Sequence, residues 1–225
     1  MKKIKVFVEG GPTGTGSADG KAALGQGFRQ LFQNQKQSLA KKHIQLDFTF
    51  CGGRGTARKK FESELKANVP NQTCVLLVDS EAPFTRHAHS TDAESRKYHL
   101  SQRTGDEWKL TDVDPNVIHL MIECMETWIL ADPEAIALFY GQGFPVESMP
   151  KRENLEDLSK QQVAEFLDQA IDRTKKAQDN PKKRGYKKVD HGSKLLAAID
   201  PQKVAKRCPH FAIFVEWLES QASTT

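Results

Sequence analysis

The chain is predicted to be an α/β protein, with a mostly parallel sheet flanked by helices and a helical C-terminal extension. Residues 3–8 (KIKVFV), 44–50 (IQLDFTF) and 73–78 (TCVLLV) are short apolar segments, and the segments between them repeat apolar residues at helical spacing. A βαβαβ order with short apolar strands marks a parallel sheet covered on both faces. The first two strands also end in glycine-rich turns, Gly10-Gly11 and Gly52-Gly53-Arg54-Gly55. Right-handed crossovers would put the carboxyl ends of all three strands on one edge, where open α/β sheets bind ligands.

Taken in order, residues 3–8 are a β-branched buried strand. From about Ser17 to Ala40, Leu24, Phe28, Leu31 and Phe32 recur at helical spacing and predict one amphipathic helix. Ser17 can cap it, with Asp19 favourable in the first turn. Residues 44–50 put Ile44, Leu46, Phe48 and Phe50 on one face of a second strand. Ala57, Phe61 and Leu65 mark the next helix, and residues 73–78 the third strand. Residues 82–114 are polar and read as a long, partly ordered insertion over the same sheet edge. A helix is expected from about Pro115 to Asp132 and another from near Pro133. A Gly/Pro-containing turn then spans Gly141–Pro150. The last helices are expected at about Ser159–Ala177, 192–199 and 209–220. The domain reading is 1–132 for the α/β core and 133–225 for a helical, basic C-terminal region packed on it.

Composition bounds the class. Charged residues make up 28% of the 225 and hydrophobic ones 38%, ordinary values for a globular chain. No apolar run approaches the roughly eighteen residues of a membrane span. The apolar stretch after the basic start breaks at Glu9, so no signal-peptide core is expected. Cys51, Cys74, Cys124 and Cys208 are widely spaced and form no CxxC pair. They read as buried small hydrophobes in a reducing compartment, and a cytoplasmic protein is expected. Net charge is +4, but Lys175, Lys176, Lys182, Lys183, Arg184, Lys187 and Lys188 crowd one stretch. That clustering suits either a phosphate-facing surface or a solvated loop.

Three acidic positions carry the chemistry. Glu9 ends the first strand, and Asp79-Ser80-Glu81 ends the third. In extended chain, residues i and i+2 point the same way, so Asp79 and Glu81 are expected on one face. Three converging carboxylates raise one another's pKa unless a cation neutralises them. An all-oxygen donor set favours Mg²⁺ or Mn²⁺ over zinc. Taken separately, Glu9 also reads as a solvated strand-end charge and the Asp79/Glu81 pair as a loop cap.

Further candidates surround them. On the expected helix, His119, Glu123 and Glu126 share one face, giving Glu126 a supplementary metal or general-base role, or else making a surface stripe. The glycine-rich GGPTGTGSADGK segment fails as a phosphate loop, because Thr15 stands where glycine is needed and Ala22 where a hydroxyl is needed. Arg54 leaves the same edge as Glu9 and could hold a phosphate, with Arg58 beside it on the following helix. Tyr186, Lys187, Lys188 and His191 could supply contacts to a nucleic-acid backbone.

The order strand-Glu-Gly, helix, strand, helix, strand-Asp-x-acid resembles the Toprim domain of topoisomerases, primases and OLD-type nucleases. VFVEGG (Val6–Gly11) and LLVDSEAP (Leu76–Pro83) are similar to its two motifs, with Asp-x-Glu where the family usually has Asp-x-Asp. CGGRG (Cys51–Gly55), CMETWILAD (Cys124–Asp132) and FYGQGF (Phe139–Phe144) extend the resemblance to a bacterial Toprim-like family of unknown function, domain of unknown function family 4276. The likeness implies a Toprim-like (Rossmann-like) fold with Mg²⁺ (or Mn²⁺) held by Glu9, Asp79 and Glu81. It also implies a nuclease acting on DNA or RNA, as the effector beside an ABC-type ATPase partner in anti-phage defence. The rivals are a non-catalytic module that senses nucleic acid or docks on an ATPase, and a hydrolase of free nucleotides.

Overall fold

The computed structural model describes residues 1–11, 17–179, 182, 185–188 and 190–223. The expected Ser17 side-chain cap, loop residues 12–16, and the Lys176 side chain, Lys183 and Arg184 of the basic stretch lie outside the described residues.

The sheet is four-stranded and wholly parallel. Strand β1 (Lys2–Val8) leads through α1 (Ser17–Leu31) and α2 (Gln33–Lys41) to β2 (Ile44–Phe50). Helix α3 (Arg54–Ala67) returns the chain to β3 (Gln72–Asp79), and α4 (Asp92–Gln102) precedes β4 (Ile118–Met121). The strand order is β2-β1-β3-β4, a Rossmann-like α/β arrangement. Among the described residues the α-helices that follow are α5 (Glu126–Leu130), α6 (Pro133–Tyr140), α7 (Lys160–Asp172), α8 (Lys175–Asp179), α9 (Gly192–Ala198), α10 (Pro201–Arg207) and α11 (Pro209–Ser223).

Both faces of the sheet are apolar, as a parallel sheet requires. Ile4, Val6 and Val8 of β1, with Val75 and Leu77 of β3, face a core built from α1, α2 and the C-terminal helices. Phe7, Leu76 and Val78 face the opposite layer, which includes Phe61 of α3, Leu100 of α4, and Trp108 and Leu110. The 82–114 insertion therefore covers one face of the sheet, and its helix α4 opens on a full capping box between Thr91 and Glu94.

Four expectations are corrected. The single helix over 17–40 is two helices meeting at Phe32, whose φ of −101° and ψ of 24° leave the helical region. The bend sets the Phe32 ring 5.4 Å from both Phe211 and Phe214 and 6.3 Å from Trp128 (centroid distances). The helix expected over 115–132 does not form. Residues 118–121 are the fourth strand, Glu123 has φ +56°, and the helix begins at Glu126. All four β4 residues are buried, so no polar alternation marks them as a strand. The helix expected over 159–177 is interrupted between α7 and α8 at Arg173 and Thr174, and α10 is an additional helix.

Close approach of α1 to α9 depends on Gly27. A Cβ there would lie 2.4 Å from the Ser193 carbonyl oxygen, a backbone atom that cannot rotate away. Gly27→Ala is expected to cost about 1–3 kcal/mol in a urea unfolding titration, as overpacking does. An unchanged midpoint would show that α9 is not tightly seated.

Candidate metal centre

The carboxyl edge of the sheet is built from strand ends that finish within two residues of one another. Val8 pairs with Leu77, and Asp79 with Met121. The Glu9 N–H donates to the Leu77 carbonyl (3.0 Å), extending the β1–β3 ladder by one residue. Beyond it, Gly10 and Gly52 exchange two backbone hydrogen bonds of 2.9 Å, which ties the turns after β1 and β2 together. Gly10 has φ +133°, a conformation that favours glycine.

Glu9, Asp79 and Glu81 converge there: one carboxylate oxygen from each lies within 4.8 Å of the others. The Asp79 N–H donates to Glu9 Oε2 (3.1 Å), and the Met125 N–H to Asp79 Oδ1 (3.0 Å). Asp79 and Glu81 meet by a sharper route than simple extension. After β3 the chain makes one more sheet bond, Ser80 N–H to the Met121 carbonyl (2.8 Å), and then turns at Glu81 with φ +59°. All three acids line a cavity of about 360 Å³, together with Gly10, Gly52, Met125, Lys160 and Lys188.

Burial dominates the electrostatics. It raises the Asp79 carboxyl well above the usual range, with Glu9 adding to the shift and Lys188 opposing it. Burial also raises Glu9, opposed by Arg54 and reinforced by Glu81. Two ammonium groups answer this charge. Lys160 Nζ lies 2.6 Å from Glu81 Oε2, and Lys188 Nζ lies 3.3 Å from both Glu126 carboxylate oxygens. Burial alone would lower both lysines, but Glu81 and Asp79 raise Lys160, while Glu126 and Asp79 raise Lys188.

The remaining candidates divide. Arg54 is turned inward: it donates to Asp106 through Nε (2.8 Å) and Nη2 (2.6 Å), to Glu9 Oε2 through Nη1 (3.3 Å), and to the Asp79 carbonyl. Its guanidinium sits 4.8 Å from the Trp108 ring centroid. Arg54 therefore holds the Glu9 carboxylate beside the Asp79 backbone, and its guanidinium is engaged by protein groups where the sequence suggested a phosphate contact. Arg58 pairs with Glu62 (2.7 Å) on its own helix and is not among the residues lining the cavity. Lys188 lines the carboxylate cavity, whereas Lys187 and His191 line a neighbouring one.

The expected His119/Glu123/Glu126 helical face is not formed. His119 lies on β4 with its ring 4.8 Å from Phe214 and 5.3 Å from Trp217, and burial pushes its pKa well down. Glu123 Oε2 accepts the Lys160 N–H (3.1 Å), and Glu126 is buried behind Lys188. Sequence reasoning missed Lys160 and Asp106. Lys160 opens α7 far along the chain, and Asp106 sits in the polar insertion, so neither carries a local motif.

The donor set fits a hard divalent cation, since it is all oxygen and its atoms converge. Arg54 shares its charge with Asp106 and Lys188 with Glu126, which leaves Lys160 as the ammonium paired directly with a member of the triad. An acid with a raised folded-state pKa costs stability above its unfolded pKa, and that cost fades as pH falls toward the ordinary carboxylate range. Asp79→Asn keeps the Oδ1 acceptor for Met125 and removes the ionisation. In metal-free buffer at neutral pH it is expected to melt above the wild type, with the gap closing on acidification. A variant that melts lower at neutral pH would contradict this electrostatic picture.

Among the described residues, no helix is long and apolar enough to cross a membrane. No curated protein and no solved structure matches the chain. A family model does match, over residues 18–219, a span that holds Asp79, Glu81, Lys160 and Lys188 while Glu9 precedes it. The chain belongs to the family described as Domain of unknown function (DUF4276).

Proposed function

We propose that the chain is a Mg²⁺- or Mn²⁺-dependent nuclease, with Glu9, Asp79 and Glu81 as the metal ligands. The observation that carries this is the convergence of three carboxylates at the carboxyl edge of a parallel sheet, in a cavity that two lysines also line. Carboxylates for a cation beside ammonium groups for an anion make a site suited to a metal-bound phosphodiester. A bound cation would activate water and neutralise charge on the scissile phosphate.

The protein's own residues divide the work. Lys188 and Lys160 contact phosphate oxygens. Glu126, proposed from the sequence as a base or extra ligand, positions Lys188. Arg54 locks Glu9 to Asp79 and leaves phosphate contact to the lysines. The likeness to Toprim nucleases supports a nucleic-acid substrate and, by analogy alone, an ATPase-associated role in anti-phage defence. The four cysteines are buried and free, which suits a reducing compartment and supports a cytoplasmic location.

One observation favours the rival, a non-catalytic Toprim-like module. Lys160 and Arg54 already give Glu81 and Glu9 internal cationic partners. Against it, Asp79 has no side-chain ion pair of its own among the described residues, and a cation at the triad would neutralise it.

The test is cleavage of single- and double-stranded DNA and RNA with Mg²⁺ or Mn²⁺. Glu9→Ala and Asp79→Ala should each abolish cleavage while circular dichroism stays native. Cleavage retained in both would overturn the assignment. Lys188→Ala should lower kcat/KM on the order of 10²-fold, as loss of one transition-state donor does. Glu126→Gln should act through the same lysine, so the double variant should be no worse than Lys188→Ala. Additive losses would mean that Glu126 has a separate role.

A further inference from the structure

A second cavity, of about 640 Å³, opens beside the carboxylate centre. Gly20 of α1 lines both cavities, and the adjacent Lys187 and Lys188 line one each, so the two share a wall. The linings differ in chemistry. Around the second cavity, Lys187 and Lys194 are matched by Asp19 and Asp190, so it lacks the one-sign charge of a phosphate site. Its apolar side is aromatic: Phe139 and Tyr140 at the end of α6 stand with centroids 4.9 Å apart, and the His191 ring lies 5.7 Å and 5.3 Å from them. His191 is held in place, because its Nδ1 accepts the Lys187 N–H (3.2 Å) and lies 2.7 Å from the Tyr140 hydroxyl. Tyr140 is buried, whereas Phe139 is partly exposed and can offer its ring to a ligand.

A charge-balanced, aromatic-walled cavity next to a phosphate-handling centre matches the neutral part of a nucleotide. We infer that this cavity seats a base of the nucleic-acid strand whose phosphate lies at the carboxylate centre, with Phe139 as the stacking surface. The inference rests on the nuclease reading for the identity of the strand. The aromatic wall and the charge balance stand apart from it. Stacking on an aromatic ring tolerates any base and is worth about tenfold or more in affinity.

The experiment compares adenosine 5′-monophosphate with ribose 5-phosphate, which has the same sugar phosphate without the base, by saturation-transfer NMR in metal-free buffer. The adenine protons are expected to receive saturation from the protein, and the mononucleotide to bind about tenfold more tightly than the sugar phosphate. Phe139→Ala should remove both effects and leave ribose 5-phosphate binding unchanged. Phe139→Leu, which keeps an apolar side chain without the ring face, should do the same if Phe139→Ala folds poorly. Equal binding of the two ligands to the wild type, or a preference that survives Phe139→Leu, would overturn the base site. A single-stranded tetranucleotide should displace the mononucleotide, and failure to do so would reassign the cavity to free nucleotides. Because no metal is present, loss of the cleavage reading and loss of the base site are separate results.

Discussion

Val8 pairs with Leu77 and Asp79 with Met121, so the neighbouring strands β1, β3 and β4 run out of partners at nearly the same level of the sheet. Beyond its last pair β1 continues into Glu9, while β3 ends on Asp79 and turns at Glu81. Backbone amides at this edge hold two of the carboxylates, with the Asp79 N–H on Glu9 and the Met125 N–H on the Asp79 side chain. Slipping β1 against β3 by one residue would carry Glu9 to the other face of the sheet. The site is thus a consequence of register, and the desolvation that raises Asp79 and Glu9 follows from it.

The rest of the chain closes over that edge. The insertion between β3 and β4 covers one sheet face with Trp108 and Leu110 and sends Asp106 to hold Arg54 against Glu9. The C-terminal helices cover the other face through the aromatic contacts of Phe28, Phe32, Trp128 and Phe211. In doing so they bring Lys160 and Lys188 to the carboxylates from positions far along the chain. The acids are therefore local to the strands, while the cations that answer them depend on tertiary packing.

That division explains what the sequence makes legible. Strands β1 to β3 and the placement of Glu9 and Asp79 at the sheet edge can be read from strand-end position, whereas Glu81 joins them through a turn of positive φ that simple extension does not contain. Strand β4 is hidden, since Ile118–Met121 is buried throughout and its residues continue into a helix-like spacing through Met125 and Trp128. One positive φ at Glu123 breaks that apparent helix, and a β-branched or apolar pattern does not encode it. The bend at Phe32 is equally non-local, set by where Phe211 and Phe214 arrive. Arg54 was legible in place but not in partner, because Asp106 lies in a segment whose polarity suggests a solvated loop.

The acids at the sheet edge are proposed to form a divalent-cation site. Calorimetric titration of the metal-stripped protein with Mn²⁺, at low salt and neutral pH, tests it most directly. Saturable binding by the wild type that disappears in both Glu9→Gln and Asp79→Asn is the result predicted here. A wild type that takes up no Mn²⁺ at millimolar concentration, or variants that titrate as it does, would contradict it.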